Sequence, residues 1–496
     1  MSNGDLIFVL LVAGVTLLGF VAARWGHSTM RTLDEWALGG RRFGTLVSWF
    51  LLGGDLYTAY TFIAVPALVY GVGALGFFAV PYATIAYPIV FLIMTRFWTV
   101  AKRRGYVTAA DFVRDRYGNR SLEIAVAATG ILAAAPYIAL QLVGMKTVFY
   151  ELGGVFALGG GAFALVAAFA LLAAYTYTSG LRAPALIAFV KDALIYITVI
   201  AAIVVIPAKL GGFAHVFAAA HTAFAARTKP VALLLGPQQF FLYASWALGS
   251  SLSLFIYPHS ITSVLSAKSA DVIRRNSVLL PIYSLLLGLL ALLGVCAVAA
   301  GITTSNSNLV VPMLLVTYFP NWFVGVGFAA IVIGALVPAA IMAIGAANLF
   351  ASNLFSEFTP SRPAGEVSVA KWLCLAVCAF ALLFVLFANV RYAIYFQLLG
   401  GGWMLQTFPA FVFGLYSRRL HPKALLLGWL VGMMATTWMA ISAGFTPAFA
   451  LHLFGMTLVG FNALYALILN LLTVALAGAV LRTQHVADGT LPADYA

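Results

Sequence analysis

The feature that most limits how this chain can fold is a recurring stretch of about 20 apolar residues, long enough as a helix to cross a hydrocarbon layer about 30 Å thick. Between charged or turn-rich breaks there are thirteen such stretches, at residues 5–23, 45–70, 75–98, 121–144, 157–179, 183–208, 237–258, 277–302, 321–355, 370–389, 392–416, 422–443 and 454–481. Only 8% of residues are charged and 63% are hydrophobic, against about a quarter charged in an average soluble domain. No soluble core hides that much apolar surface. The expectation is an all-α integral membrane protein of 13 transmembrane helices, forming one transmembrane domain over 1–496.

The first stretch has neither a basic leader nor a clear small-residue cleavage site, so it reads as a retained span. Asp5 before it suggests an outward-facing N-terminus. Alternating thirteen spans from that start puts 21 of the 27 Lys and Arg on the inner side, as expected if cytoplasmic loops hold the basic residues. Lys146, Lys209, Arg227, Lys229 and Arg391 fall outside, and Lys191 falls within a span. The expected location is the bacterial inner membrane, with the N-terminus periplasmic and the C-terminus cytoplasmic. Orientation thus accounts for the net charge of +13, with no need for a nucleic-acid partner, whose footprint is a basic face on a soluble module.

The same reading weighs against other functional classes. A sensor built on such a membrane domain needs a signalling module, and the tail after Leu481 has 15 residues. An enzyme needs converging acids, bases or metal ligands, and the seven His are scattered without paired or HExxH-like spacing. Cys296, Cys374 and Cys378 all lie in apolar helices with no His or carboxylate nearby, and read as buried structural thiols rather than metal ligands. No metal or cofactor is expected. Residues 215–227 space Val216, Phe217, Ala220 and Phe224 like an interfacial amphipathic helix on the outer face. A secondary transporter of small solutes remains.

In a bilayer, chemistry is carried by ionisable residues inside the apolar layer. Twelve of the 14 acidic residues map to loops, ends or tails, which leaves Asp55 and Asp192. Asp55 lies about 11 residues into its stretch, roughly 16 Å deep, directly after Gly53 and Gly54. Glycines before a midplane carboxylate suit a discontinuous helix whose unwound backbone contacts solute or ion. The alternative is a carboxylate that only satisfies broken-helix N–H groups. Lys191 is roughly 12 Å deep, beyond the comfortable reach of a stem of about 6 Å. It needs a partner, or a tilted helix that brings it to water; a static ion pair with a carboxylate is the ordinary alternative to a coupling role. Asp192 points roughly 100° away from Lys191, so a direct pair between these neighbours is not expected.

Three segments carry a resemblance to a known family. Leu33-Asp34-Glu35-Trp36-Ala37-Leu38-Gly39-Gly40-Arg41-Arg42 resembles the segment before the second helix of the sodium/solute symporters. Thr108-Ala109-Ala110-Asp111-Phe112 with Arg116-Tyr117-Gly118 resembles their third cytoplasmic loop, and Ser179-Gly180-Leu181-Arg182-Ala183 the start of their sixth helix. Within the family, residues 50–62 and Val337-Pro338-Ala339-Ala340-Ile341-Met342 are most similar to bacterial monocarboxylate permeases. The resemblance implies a LeuT-like fold of two inverted five-helix repeats, spans 2–6 (45–208) and spans 7–11 (237–416), followed by two C-terminal helices (422–481). It also implies a solute bound at the midplane between broken helices. Span 7 is then expected to break at Gly249-Ser250-Ser251, with Pro258 near its inner end, although Gly and Ser there also suit close helix packing.

The resemblance implies a sodium site between the second and ninth helices, with two adjacent hydroxyl residues after the Ala-Ala-Ile-Met segment. Here those positions are Ala343 and Ile344, which give a hard cation no side-chain oxygen. Gly53, Leu56 and Ala340, the other matched positions, offer only carbonyls, so the site is degenerate. In some sodium-independent permeases of the same fold a lysine on the equivalent of the sixth span fills that place, and Lys191 lies there. The coupling residues are therefore expected to be Asp55 and Lys191, and the coupling cation a proton rather than sodium. A sodium-coupled symporter of another small organic solute is the alternative. For a lactate-, pyruvate- or propionate-like substrate, the candidate binding residues are Tyr57, Thr58, Tyr60, Thr61, Tyr137, Gln141, Trp246, Ser250 and Gln397; helix packing is the alternative role of each.

Overall fold

The structure, a computed structural model, describes residues 2–24, 30–54, 57–157, 161–228, 231–355, 363–387, 393–453, 455–481, 490 and 492–495. Among the described residues the regular structure is helical apart from one hairpin, in which Ala448–Leu453 pairs antiparallel with Met456–Phe461. Ten helices among the described residues are long and apolar enough to cross a membrane, or up to twelve if each of two bent pairs is one span. Thirteen is not the number this criterion returns. One difference lies in the apolar run Tyr60–Arg104, which counts once. Its 45 residues would extend roughly 67 Å, more than twice the hydrocarbon thickness, and Gly73, at φ 62° and ψ −131°, interrupts it. The stretch expected at 454–481 begins as the second hairpin strand, and its helix is Asn462–Val480.

The helix Asn321–Leu349 forms the centre, with Ala340, Ala343 and Ile344 fully buried. Around it pack Asn3–Val21, Arg120–Leu152 and Arg182–Lys209. The outer faces stay apolar: Leu17, Leu132, Ile197 and Leu476 are all exposed, as lipid-facing positions should be. Cys296, Cys374 and Cys378 are buried free thiols.

Two of the similarity-bearing segments meet in space. The helix Leu33–Leu38 ends at Gly39, and the carbonyl of Trp36 accepts from Leu181 N at 2.9 Å. Gly180 is at φ +54°, and a Cβ there would lie 2.0 Å from Trp36 O. Only glycine meets both demands. The third segment begins with a capping box in which Thr108 and Asp111 exchange side-chain and backbone bonds, and Asp111 also accepts from Asn353 Nδ2 at 2.6 Å.

Three breaks shape the interior. The helix Thr45–Gly54 stops at the glycine pair after ten residues, about 15 Å, or half a membrane. Helical backbone resumes by Tyr60, in a π-turn over Tyr60–Ala64. The helix Pro237–Leu254 and the helix Pro258–Leu265 meet at 50°, and Ile394–Leu405 meets Phe408–Leu415 at 49°. The seventh span was expected to break at Gly249-Ser250-Ser251, but helix runs straight through them and the break is at 255–257. Gly249 instead receives the Phe461 ring, 2.5 Å from where a Cβ would stand, which is the close-packing role. Pro258 sets the actual break because it lacks an N–H and suits the first turn of a new helix.

Candidate functional site

Lys191 is fully buried in the Arg182–Lys209 helix, and its ammonium lies against the first break. Nζ donates to Gly54 O at 3.0 Å and to Tyr57 O at 3.1 Å. These carbonyls lack the helical partners that a continuous span would give them. The ammonium is also 2.9 Å from Asp192 Oδ1, an ion-pair approach outside hydrogen-bond alignment, and Asp192 Oδ2 accepts from Tyr283 OH at 2.7 Å. The expectation that these sequence neighbours do not pair is therefore overturned. Their Cβ directions diverge, but the long lysine stem curls back, and a buried charge left without a counter-charge is far costlier than a bent side chain. Asp192 is likewise fully buried. Among the described residues, Lys191 has no polar contact from Asn321–Leu349.

Tyr57 and Tyr283 close the break. Tyr57 OH donates to Tyr283 O at 3.2 Å, and the two rings lie 4.3 Å apart. Gly53 admits the second ring: a Cβ there would stand 2.1 Å from Tyr283 Cζ. Asp55 and Leu56, expected to couple and to hold a cation, lie outside the described residues. Ala340, Ala343 and Ile344 are fully buried.

The nine candidate binding residues divide by what their polar atoms already do. Thr58 and Thr61 cap the resumed helix: Thr58 N donates to Thr61 Oγ1 at 3.0 Å, Tyr60 N to Thr58 Oγ1 at 2.9 Å, and Thr61 Oγ1 to Thr58 O at 2.8 Å. Gln141 Oε1 accepts from Ala59 N at 3.0 Å, which secures the same turn from the Arg120–Leu152 helix. Tyr57 OH is committed to Tyr283. By contrast, Tyr60 OH, Gln141 Nε2, Trp246 Nε1, Ser250 Oγ and both amide atoms of Gln397 are buried without a partner among the described residues. Such groups are costly in apolar surroundings, and a polar solute is what they suit.

Ring contacts, mostly edge-to-face, join these residues in two sets. Tyr60 lies 6.0 Å from Tyr82, Tyr82 lies 6.5 Å from Phe78, and Phe78 lies 5.1 Å from Trp246. Tyr137 lies 5.4 Å from Tyr257, whose hydroxyl donates to Gln397 O at 3.2 Å. Ser250 O accepts from Ser253 Oγ at 3.1 Å. His259 was missed in the sequence. It is fully buried, has no partner for either ring nitrogen among the described residues, and packs 5.3 Å from Tyr137 and 5.2 Å from Tyr257. Its signal was its place directly after the proline that restarts a broken span.

The comparisons agree with this architecture. The model of the sodium:solute symporter family matches residues 36–432. A monocarboxylate transport permease protein of Rhizobium johnstonii is 51% identical over 478 residues, 96% of each chain. An uncharacterized symporter of Bacillus subtilis, YodF, is 34% identical over 438 residues, 87% of this chain and 86% of its own. Among solved structures, a Na⁺-coupled sialic acid symporter in a substrate-bound outward-open state superposes with a TM-score of 0.75 at 16% identity, covering 97% of this chain and 98% of that one; it shares the fold. With the family matched over most of its length, this chain belongs to the sodium:solute symporter family and is a multi-pass membrane protein and secondary transporter.

Proposed function

We propose that this chain takes up small monocarboxylates across the bacterial inner membrane by alternating access, coupled to protons rather than to sodium. The Lys191 ammonium, seated on the carbonyls of Gly54 and Tyr57, carries this reading. A cation there makes the contacts to the broken second helix that sodium makes in relatives, while Ala343 and Ile344 offer no hydroxyl for a metal ion. The 51% identical permease supports the substrate class. So do the unpartnered amides and hydroxyls beside the breaks, which suit the polar end of a small acid.

In this cycle the halves 45–208 and 237–416 rearrange about the central solute, with the N-terminus outside and thirteen crossings. Charged Lys191 holds the outward-facing arrangement. Because Lys191 and Asp192 are paired, the exchangeable proton belongs to the pair and not to one side chain. Its release inward drives the cycle only if the two arrangements differ in how well they stabilise the ammonium.

The experiment is uptake of radiolabelled short-chain acids into proteoliposomes under separately imposed Na⁺ and pH gradients. Uptake that rises with an inward proton gradient and is indifferent to replacing Na⁺ with K⁺ is expected. Strict Na⁺ dependence would end the proton reading in favour of a sodium symporter, the reading that the family's name and the sialic acid symporter favour.

A further inference from the structure

A cavity of about 1760 Å³ opens between the end of the Val65–Val72 helix, residues 226–228 and 231–239, the Ile394–Leu405 helix and residues 444–446. In the proposed orientation this is the outer vestibule. Its wall includes Phe396, the sequence neighbour of Gln397, and Leu75, one turn from Phe78. Among the described residues that line it, Arg227 is the single charged side chain.

Arg227 is held in a set orientation. Its guanidinium lies 5.0 Å from the Tyr70 ring centre and 4.7 Å from that of Phe224, and Nη1 donates to Tyr70 O at 2.7 Å. Rings and carbonyl together fix the plane of the group. The helix Phe213–Ala225 supports it, with Val216, Ala220 and Phe224 buried. Among the described residues no acceptor meets Nε or Nη2. That edge is the planar fork that takes a carboxylate side-on, through two parallel bonds.

We infer that Arg227 forms an anion-selecting vestibule site: it draws a monocarboxylate into the cavity and holds it side-on before the solute passes to the central site. The carboxylate part of this inference rests on the substrate reading above. A cationic group on the wall of a cleft focuses its field on entering anions. The aromatic seat and the one committed nitrogen leave the group oriented but not neutralised.

Trp403 lines the same cavity and gives a readout independent of transport. In the purified full-length protein, quenching of Trp403, isolated by difference against Trp403→Phe, is compared for iodide and neutral acrylamide. Arg227→Gln is expected to lower the iodide effect relative to acrylamide several-fold, and to raise the half-saturation concentration for lactate by roughly ten-fold, the low end of what such a cleft gives. Arg227→Lys keeps the charge but not the fork, so it should retain iodide access and still lose lactate affinity. An unchanged iodide-to-acrylamide ratio in Arg227→Gln overturns the inference. Equal loss of both quenchers also overturns it, because Arg227 would then only hold the mouth in shape. An iodide effect in a parent that takes up no short-chain acid would leave the anion site standing and sink the substrate reading instead.

Discussion

The ammonium of Lys191 rests 3.0 Å from the carbonyl oxygen of Gly54, across the point where the second helix stops. A positive charge thus sits where a broken helix turns its unpaired carbonyls inward. The same ammonium neutralises Asp192, so the arrangement joins one cation, one anion, two carbonyls and the Tyr283 hydroxyl in a buried polar unit.

Removing one member of that unit should cost more than removing two. Lys191→Met leaves Asp192 buried without a counter-charge, a loss of about 3–5 kcal/mol when one partner of a buried pair goes. Lys191→Met with Asp192→Asn leaves no uncompensated charge and should recover most of that stability. Thermal unfolding in detergent measures both. Proteoliposome uptake adds the functional half: the double variant should fold, yet its transport should no longer depend on pH. A single variant as stable as the parent would show that the pair is not buried in the working protein.

Asp55 follows Gly53 and Gly54 in the sequence, and its test is functional. A carboxylate at the middle of a bilayer costs about 2.5–3.5 kcal/mol on insertion scales. Asp55→Asn keeps the shape and removes the charge. It is expected to reach the membrane in normal amount and to lose concentrative uptake. A variant that still accumulates solute as the parent does would reduce Asp55 to a structural carboxylate.

Gly53 and Tyr283 give a packing test of the same region. A methyl at Gly53 would stand 2.1 Å from Tyr283 Cζ, a distance no rotamer change in a packed core absorbs cheaply. Gly53→Ala should therefore displace Tyr283 and abolish transport. Tyr283→Phe leaves the ring in place and removes only the bond to Asp192, which for a charged acceptor is worth about 1.5–3 kcal/mol. It should lower thermal stability by that order while keeping measurable uptake. Gly53→Ala transporting at the parent rate would mean that the break is looser than the structure shows.

Much of this was legible in the sequence because the bilayer imposes simple rules. Apolar length gave helices, Gly53-Gly54 gave the first break, and depth singled out Lys191. What escaped depended on contacts between distant segments. Tyr283, 91 residues from Asp192, anchors that carboxylate, and nothing local to either residue announces the bond. The Lys191–Asp192 pair escaped because ideal helix geometry ignores how far a lysine stem can curl. Gly249 resembled a break but serves Phe461, from a hairpin that apolar counting had merged into the last helix.

Gln397 and Gln141 give a test that tells a solute-binding residue from one that serves the fold. Both are fully buried, but Gln141 accepts the Ala59 N–H at 3.0 Å, whereas both amide atoms of Gln397 lack a partner among the described residues. Gln141→Leu orphans a backbone donor beside the first break and should cost about 1–3 kcal/mol of stability. Gln397→Leu orphans nothing and removes an unsatisfied group, so its stability should be equal to or above that of the parent. If Gln397 meets the solute, the same change should raise the half-saturation concentration by roughly ten-fold, the equivalent of about 1.4 kcal/mol. Thermal unfolding and concentration-dependent uptake, run on both variants, should therefore move in opposite senses for Gln397 and together for Gln141. A Gln397→Leu protein that loses stability and keeps its affinity would return Gln397 to helix packing, and would take the Tyr137–Tyr257 set out of the proposed site with it.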